Sequence, residues 1–133
     1  LYEGRNEVNQ KYSSLSLDLQ GEVLEKVFTL DMSRITRPEA LASFLQNFKD
    51  IKRLKIRNLK WNLLRDALDL KPELKFGNLA KLGLRSNRIT AEIISEMNEH
   101  FFSKIKNLEE LNLWDNEEIG DDGAGVIANS KNM

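Results

Sequence analysis

The chain has 133 residues, 41% of them hydrophobic and 31% charged, the balance of a folded globular domain rather than of a disordered or fibrous chain. A formal net charge of -1 exerts no long-range pull on nucleic acid or anionic lipid. No stretch approaches the roughly twenty apolar residues that span a bilayer, nothing at the amino end has a signal-peptide layout, and cysteine is absent, so a reducing, cytoplasmic setting is expected.

In chain order, residues 1–26 open with a polar run, Glu3 to Gln10, followed by Tyr12-Ser-Ser-Leu15-Ser-Leu17-Asp-Leu19. That alternation predicts an additional strand or amino-terminal cap, with Glu22 to Lys26 as a connector. A single phrase then occurs four times: Val27-Phe-Thr-Leu30-Asp-Met32, Ile51-Lys-Arg-Leu54-Lys-Ile56, Leu79-Ala-Lys-Leu82-Gly-Leu84 and Leu108-Glu-Glu-Leu111-Asn-Leu113. The last two copies run on to Asn87 and Asn116, completing L-x-x-L-x-L-x-x-N, the mark of a stacked-repeat architecture. Leu30, Leu54, Leu82 and Leu111 are 24, 28 and 29 residues apart. Such a unit holds a short strand, a turn, a helix of roughly ten residues and a return loop.

Between the phrases the apolar period changes from two to that of a helix. After the first, Thr36-Arg-Pro38-Glu39 reads as a capping box with proline near the helix start, and Leu41, Phe44, Leu45 and Phe48 share a face. Trp61, Leu64 and Leu68 give the second unit a shorter helical signal that closes at Lys71-Pro72. Thr90 precedes Ile94, Met97, Phe101 and Ile105, spaced for a third amphipathic helix. Asp121-Asp122-Gly123 starts a fourth, within a unit that stops at Met133. The expected organisation is a polar segment and capping strand over 1–26, then units at 27–50, 51–78, 79–107 and 108–133, the last incomplete. An array ending inside a unit is expected to be an excerpt of a longer protein, because stacked repeats need polar caps.

With these phrases the chain resembles a leucine-rich-repeat domain of the ribonuclease-inhibitor-like subfamily, most closely from Leu79 to Gly123. The resemblance implies an α/β right-handed solenoid, with parallel strands on a concave face and α-helices on a convex one. It also implies a ladder of buried asparagines between turns, incomplete here because Ile35 and Leu59 stand where the first two asparagines belong. Among relatives of that subfamily, the irregular spacing and the pair Phe101-Phe102 look most similar to the sensing arms of NOD-like innate immune receptors.

Aligned on the family phrase, the third, fifth and seventh positions face outward on the concave side. They are Thr29, Asp31 and Ser33; Arg53, Lys55 and Arg57; Lys81, Gly83 and Arg85; and Glu110, Asn112 and Trp114. Five cations cluster on the second and third strands, whereas Glu109 to Asp122 holds seven acidic residues and no basic one. One interpretation is a polarised docking surface on which charge guides encounter and Trp114 anchors the contact. The other is a solvated face whose lysines and arginines block edge pairing. Trp114 could equally pack on a following unit, Trp61 is expected in the core, and Asn87 and Asn116 are expected to serve buried backbone groups.

Catalysis draws little support from the composition. His100 is the only histidine and has no cysteine or second histidine to complete a metal site or a nucleophile pair. The acidic run Asp115, Glu117, Glu118, Asp121 and Asp122 lacks the alternating calcium loop and reads as a turn that places negative charge at a helix start. No phosphate loop or dinucleotide fingerprint occurs. The expectation is therefore a non-enzymatic protein-binding module without cofactor, metal or membrane span. Its candidate contact residues are Arg53, Lys55, Arg57, Lys81, Arg85, Glu110, Asn112 and Trp114, and its partner is a foreign protein or other domains of the parent chain. Four rivals stay open: a polyanion-binding strip, a regulator of a small GTPase, an enzyme-inhibitor-like binder, and a purely structural role in which the repeats clamp other domains of the same chain.

Overall fold

A computed structural model describes residues 27–130. The strand or cap expected between Tyr12 and Leu19, and the connector Glu22 to Lys26, lie outside the described residues. Strand β1 (Val27–Asp31) is followed by helix α1 (Pro38–Leu45), β2 (Arg53–Arg57), α2 (Trp61–Leu70), β3 (Lys81–Gly83), α3 (Ala91–His100), β4 (Glu110–Asn112) and α4 (Gly120–Ala128). Short 3-10 turns extend α1 and α3 and precede α4. The four strands form one parallel sheet in the order β1-β2-β3-β4, and each helix packs on the next. Every strand pairs with its sequence neighbour, so each βα unit repeats the preceding one, displaced by a single strand.

Leucine packing fixes the register. Leu54 pairs with Leu82 and Leu82 with Leu111, so one column of side chains points into the core along the sheet. Leu54, Ile56, Leu82 and Leu84 are almost fully buried, while their neighbours Arg53, Lys55 and Arg57 point to the opposite face. On the helical side the expected stripes are buried: Leu41, Phe44, Leu45 and Phe48; Trp61, Leu64 and Leu68; Ile94, Met97, Phe101 and Ile105. At about 25 cal/mol per Å² of apolar surface removed from water, stacking of these stripes is the principal stabilising term. Phe44 meets Phe48 edge-on with ring centroids 5.1 Å apart, and Phe76 meets Phe101 in the same way at 5.9 Å.

Unit one departs from the alignment of the phrases. Phe28 pairs with Leu54 and Leu30 with Ile56, a displacement of two residues that makes the step between units 26 instead of 24. The Met32 N–H donating to the Arg57 carbonyl continues the same register, which brings Ser33, and not Ile35, to the place of the asparagine. Packing decides this. Two residues is the smallest slip that keeps every side chain on its own face, and the displacement puts Phe28 beside Phe48, centroids 6.2 Å apart. Ile35 is then buried in its own right.

Helix starts also differ from the expected signals. The capping box at Thr36 does not form: α1 begins after Arg37, which makes no side-chain cap, and Pro38 opens the helix with its fixed φ and no N–H to satisfy. Thr90 does cap α3, its hydroxyl accepting from the Ile93 N–H at 3.1 Å. The short signal of unit two is a full ten-residue helix, α2. The long loop before Leu79 is tied to the following unit. Phe76 N–H donates to the Lys104 carbonyl, Lys104 Nζ donates to Pro72 O and Leu74 O, and Asn107 Nδ2 donates to Gly77 O. Gly123 allows α4 to approach α3, since a Cβ there would overlap the Ile119 side chain and lie 3.3 Å from Ala91 Cα.

Two buried asparagines lock the turns after β2, β3 and β4. The Asn87 side chain accepts from the Leu59 N–H at 3.0 Å and donates to Ile56 O and Arg85 O. Asn116 accepts from the N–H groups of both Asn87 and Ile89 at 3.0 Å, and donates to Leu84 O, Leu113 O and Trp114 O. Each amide thus joins its own turn to the one before. The first junction has Leu59 where Asn87 and Asn116 stand and is fastened differently: Lys60 Nζ donates to Ser33 O and Ile35 O, and Asn58 Nδ2 donates to Asp31 Oδ1. Replacing Asn87 by alanine strands several backbone partners at once, so urea denaturation of Asn87→Ala is expected to show a loss of about 2–4 kcal/mol. The same assay on Lys60→Ala, whose partners lie closer to solvent, is expected to show about 1 kcal/mol or less.

Candidate functional site

The open face of the sheet carries three rows of side chains that the strand register sets side by side. One row runs Val27, Arg53, Lys81, Glu110, and the next runs Thr29, Lys55, Gly83, Asn112. Extending the register gives a third row: Asp31, Arg57, Arg85, Trp114. All eight candidate contact residues, Arg53, Lys55, Arg57, Lys81, Arg85, Glu110, Asn112 and Trp114, are therefore brought together on one face. For unit one the outward residues are Val27, Thr29 and Asp31, so Ser33 leaves the expected display and Val27, exposed and apolar, joins it.

The electrostatics of the face are more compensated than its composition implies. Lys81 Nζ lies 3.4 Å from Glu110 Oε2 with both side chains largely exposed, a pair worth at most about 1 kcal/mol. Arg85 places its guanidinium 5.3 Å from the centroid of the Trp114 ring. Trp114 is 70% exposed, so the stack holds a large aromatic surface in the open instead of burying it. Asp31 stands next to Arg57 at the other rim. The five cations of β2 and β3 thus form a strip with one carboxylate on either flank, Asp31 on β1 and Glu110 on β4.

Turn geometry presents this face. Asn58, Ser86 and Asp115 occupy equivalent places one residue after the third row, with φ of 54°, 58° and 59°. Non-glycine residues seldom adopt this left-handed conformation, and here side chains hold it: Ser86 Oγ donates to Asp115 Oδ2 at 2.7 Å, and Asn58 bonds Asp31. Asn112 Oδ1 accepts the Trp114 N–H at 2.9 Å, which fixes the backbone that carries the indole.

A shallow cavity of about 340 Å³ opens in the middle of the face. Its floor includes Gly83 with Leu54 and Leu82, and its walls include Arg53, Lys55, Lys81 and Arg85. Glycine is the reason for the gap, because every other strand places a side chain in that row. Arg53, on the wall, holds its Nε buried without a hydrogen-bond partner. Neither feature was evident from the sequence, where Gly83 reads as one residue among twelve and Arg53 as one cation among five.

Elsewhere, the remaining candidates have structural surroundings. Trp61 is 5% exposed and belongs to the core, its Nε1 donating to Glu96 Oε1, which also receives Arg65 Nη1 at 2.9 Å. His100 Nδ1 lies 3.5 Å from Asp69 Oδ1. Among the described residues, no three acidic, histidine or cysteine side chains converge to hold a metal ion, and no helix is long and apolar enough to cross a membrane. Phe101 and Phe102 are both buried. Comparison with protein-family models, curated proteins and solved structures returned no match.

The Asp31 carboxyl is held below the ordinary carboxylate range, chiefly by the Asn58 amide, then by the Ser33 N–H, with a smaller contribution from Arg57. Glu96 is lowered in the same direction by Arg65 first and Trp61 second. A carboxyl depressed in the folded state contributes stability that is complete above its unfolded pKa of about 4 and is lost as pH falls through the folded value. In urea titrations repeated between neutral and strongly acidic pH, Asp31→Asn and Glu96→Gln should each flatten the fall in stability below about pH 4.

Proposed function

We propose that the chain is a leucine-rich-repeat solenoid of the ribonuclease-inhibitor-like kind that acts as a non-catalytic protein-binding module in the cytoplasm. The open sheet face is its concave recognition surface. What supports the solenoid reading is the parallel in-register column Leu54, Leu82 and Leu111 together with the amide chain through Asn87 and Asn116, since both make each unit the template of the next. What supports the binding role is Trp114, a solvent-facing indole stacked by Arg85 in a field of alternating charge. Exposed tryptophan carries a solubility cost, and tryptophan and arginine dominate the energetics of protein interfaces.

A polyanion such as nucleic acid would use the same cationic strip. Its weakness is that Asp31 and Glu110 flank the strip and Lys81 is already paired, an arrangement that discriminates among partners instead of attracting every phosphate backbone. Recognition in a larger innate immune receptor or adaptor is the biological setting we favour, on the family resemblance of the repeat phrases.

Affinity capture with the full protein tests the binding role. Partners retained by the wild type should be lost from Arg57→Glu/Trp114→Ala, whose substituted side chains lie outside the core, with far-ultraviolet circular dichroism unchanged. Capture of the same set by both proteins would remove the open face from consideration.

A further inference from the structure

We infer that the partner reaches this face through an acidic peptide segment, one carboxylate of which enters the gap above Gly83. This rests on the proposed binding role of the open face and specifies the chemistry that the face selects. Three observations lead to it, each independent of the others.

The first is the shape of the gap. Gly83 faces Lys55 across β2 and Asn112 across β4, and Lys81 and Arg85 lie two residues to either side on the same face. A glycine here is not demanded by the backbone: a Cβ would meet Lys55 Cγ at 3.5 Å and Leu54 O at 3.8 Å, ordinary contact distances. The missing side chain therefore leaves a usable recess of the sheet surface rather than relieving a clash.

The second is charge. Four cations, Arg53, Lys55, Lys81 and Arg85, line the recess against one carboxylate, Glu110, and among the described residues only Lys81 of the four makes an ion pair, with Glu110 at 3.4 Å. Lys81 offsets Glu110 at the recess and Asp31 repels negative charge at the far rim, so Arg53, Lys55 and Arg85 leave an excess of positive charge at the centre that calls for negative charge there. The third is the Arg53 Nε–H, buried at the wall without an acceptor. Buried donors are almost always satisfied, and a turn of the Arg53 side chain toward a ligand oxygen in the recess would supply the acceptor that the fold does not.

Scale fits a peptide. Four strands at about 4.8 Å spacing are crossed in about 14 Å, the reach of four or five extended residues. A segment lying across the strands can thus seat its central carboxylate above Gly83 and lay a neighbouring apolar group on Trp114. A carboxylate suits the site because a planar anion accepts several N–H donors at once, as arginine recognition of carboxylates requires.

The test uses the full chain labelled with nitrogen-15 and an alternating glutamate-alanine peptide of about nine residues, with its glutamine counterpart, inorganic polyphosphate and a dT oligonucleotide as competing probes. The glutamate peptide should shift the amide signals of Gly83 and Arg85 and quench the exposed Trp114, with the glutamine peptide at least about tenfold weaker. Gly83→Val, whose Cβ meets its neighbours at ordinary contact distances, should weaken the glutamate peptide about tenfold while its thermal midpoint stays near the wild type. Undiminished binding by Gly83→Val, no shift at about 1 mM glutamate peptide, or tighter binding of polyphosphate or the oligonucleotide would each overturn the inference. If Gly83→Val binds the peptide normally while Arg57→Glu/Trp114→Ala still loses its captured partners, the recess is wrong and the open-face reading stands. If neither variant changes anything, both fall.

Discussion

The structure depends on the satisfaction of backbone groups at the turns after β2, β3 and β4. Parallel strands joined by helices bury both their leucine column and the turns that end it, and turns cannot bond their own polar groups in full. Asn87 and Asn116 resolve this by spending both ends of the amide on the main chain of two successive turns. A carboxamide is the side chain that can accept and donate from one rigid plane. Because each bond reaches the preceding unit, the spacing between units becomes a property of the turns as well as of the leucines.

Where the amide is absent, the junction is looser in chemistry and in register. Lys60 offers only donors, so it serves Ser33 O and Ile35 O and can accept nothing. The loss coincides with the one place where the strand alignment departs from the repeat phrases, between β1 and β2. With no asparagine to set the first turn, aromatic packing of Phe28 on Phe48 sets the pairing instead. The consequence reaches the surface: Asp31 comes beside Arg57 instead of Lys55, and Val27 takes a place on the open face that Ser33 leaves.

The face and the core answer to different forces, which is why they can be considered separately. Leucines, phenylalanines and the buried amides hold the units together, while the open rows contribute little to stability: the Lys81–Glu110 pair is solvent-screened, and Arg85 stacks on Trp114 in the open. Substitutions on that face are therefore expected to leave the stacking of the units intact. On the proposed reading, selection by an acidic segment comes from where cations have no carboxylate partner among the described residues, at Arg53, Lys55 and Arg85 around Gly83, more than from the net charge of the chain.

Much of this was legible in the residues alone. The alternation of Leu-x-Leu, the helical stripes such as Ile94, Met97 and Phe101, and the paired asparagines determine strand, helix and buried amide, because burial of apolar side chains at a period of two or of 3.6 residues is a local property of the chain. The nine outward residues of the second, third and fourth units followed from the same periodicity. What only the tertiary structure decided is which neighbours those residues acquire: the two-residue offset of β1, the choice of Pro38 over Thr36 at the start of α1, the Lys60 clip, the stack of Arg85 on Trp114 and the recess above Gly83. Apart from the local start at Pro38, these depend on contacts between units, and a side chain's distant neighbours are set by packing of the whole, not by the order of residues around it.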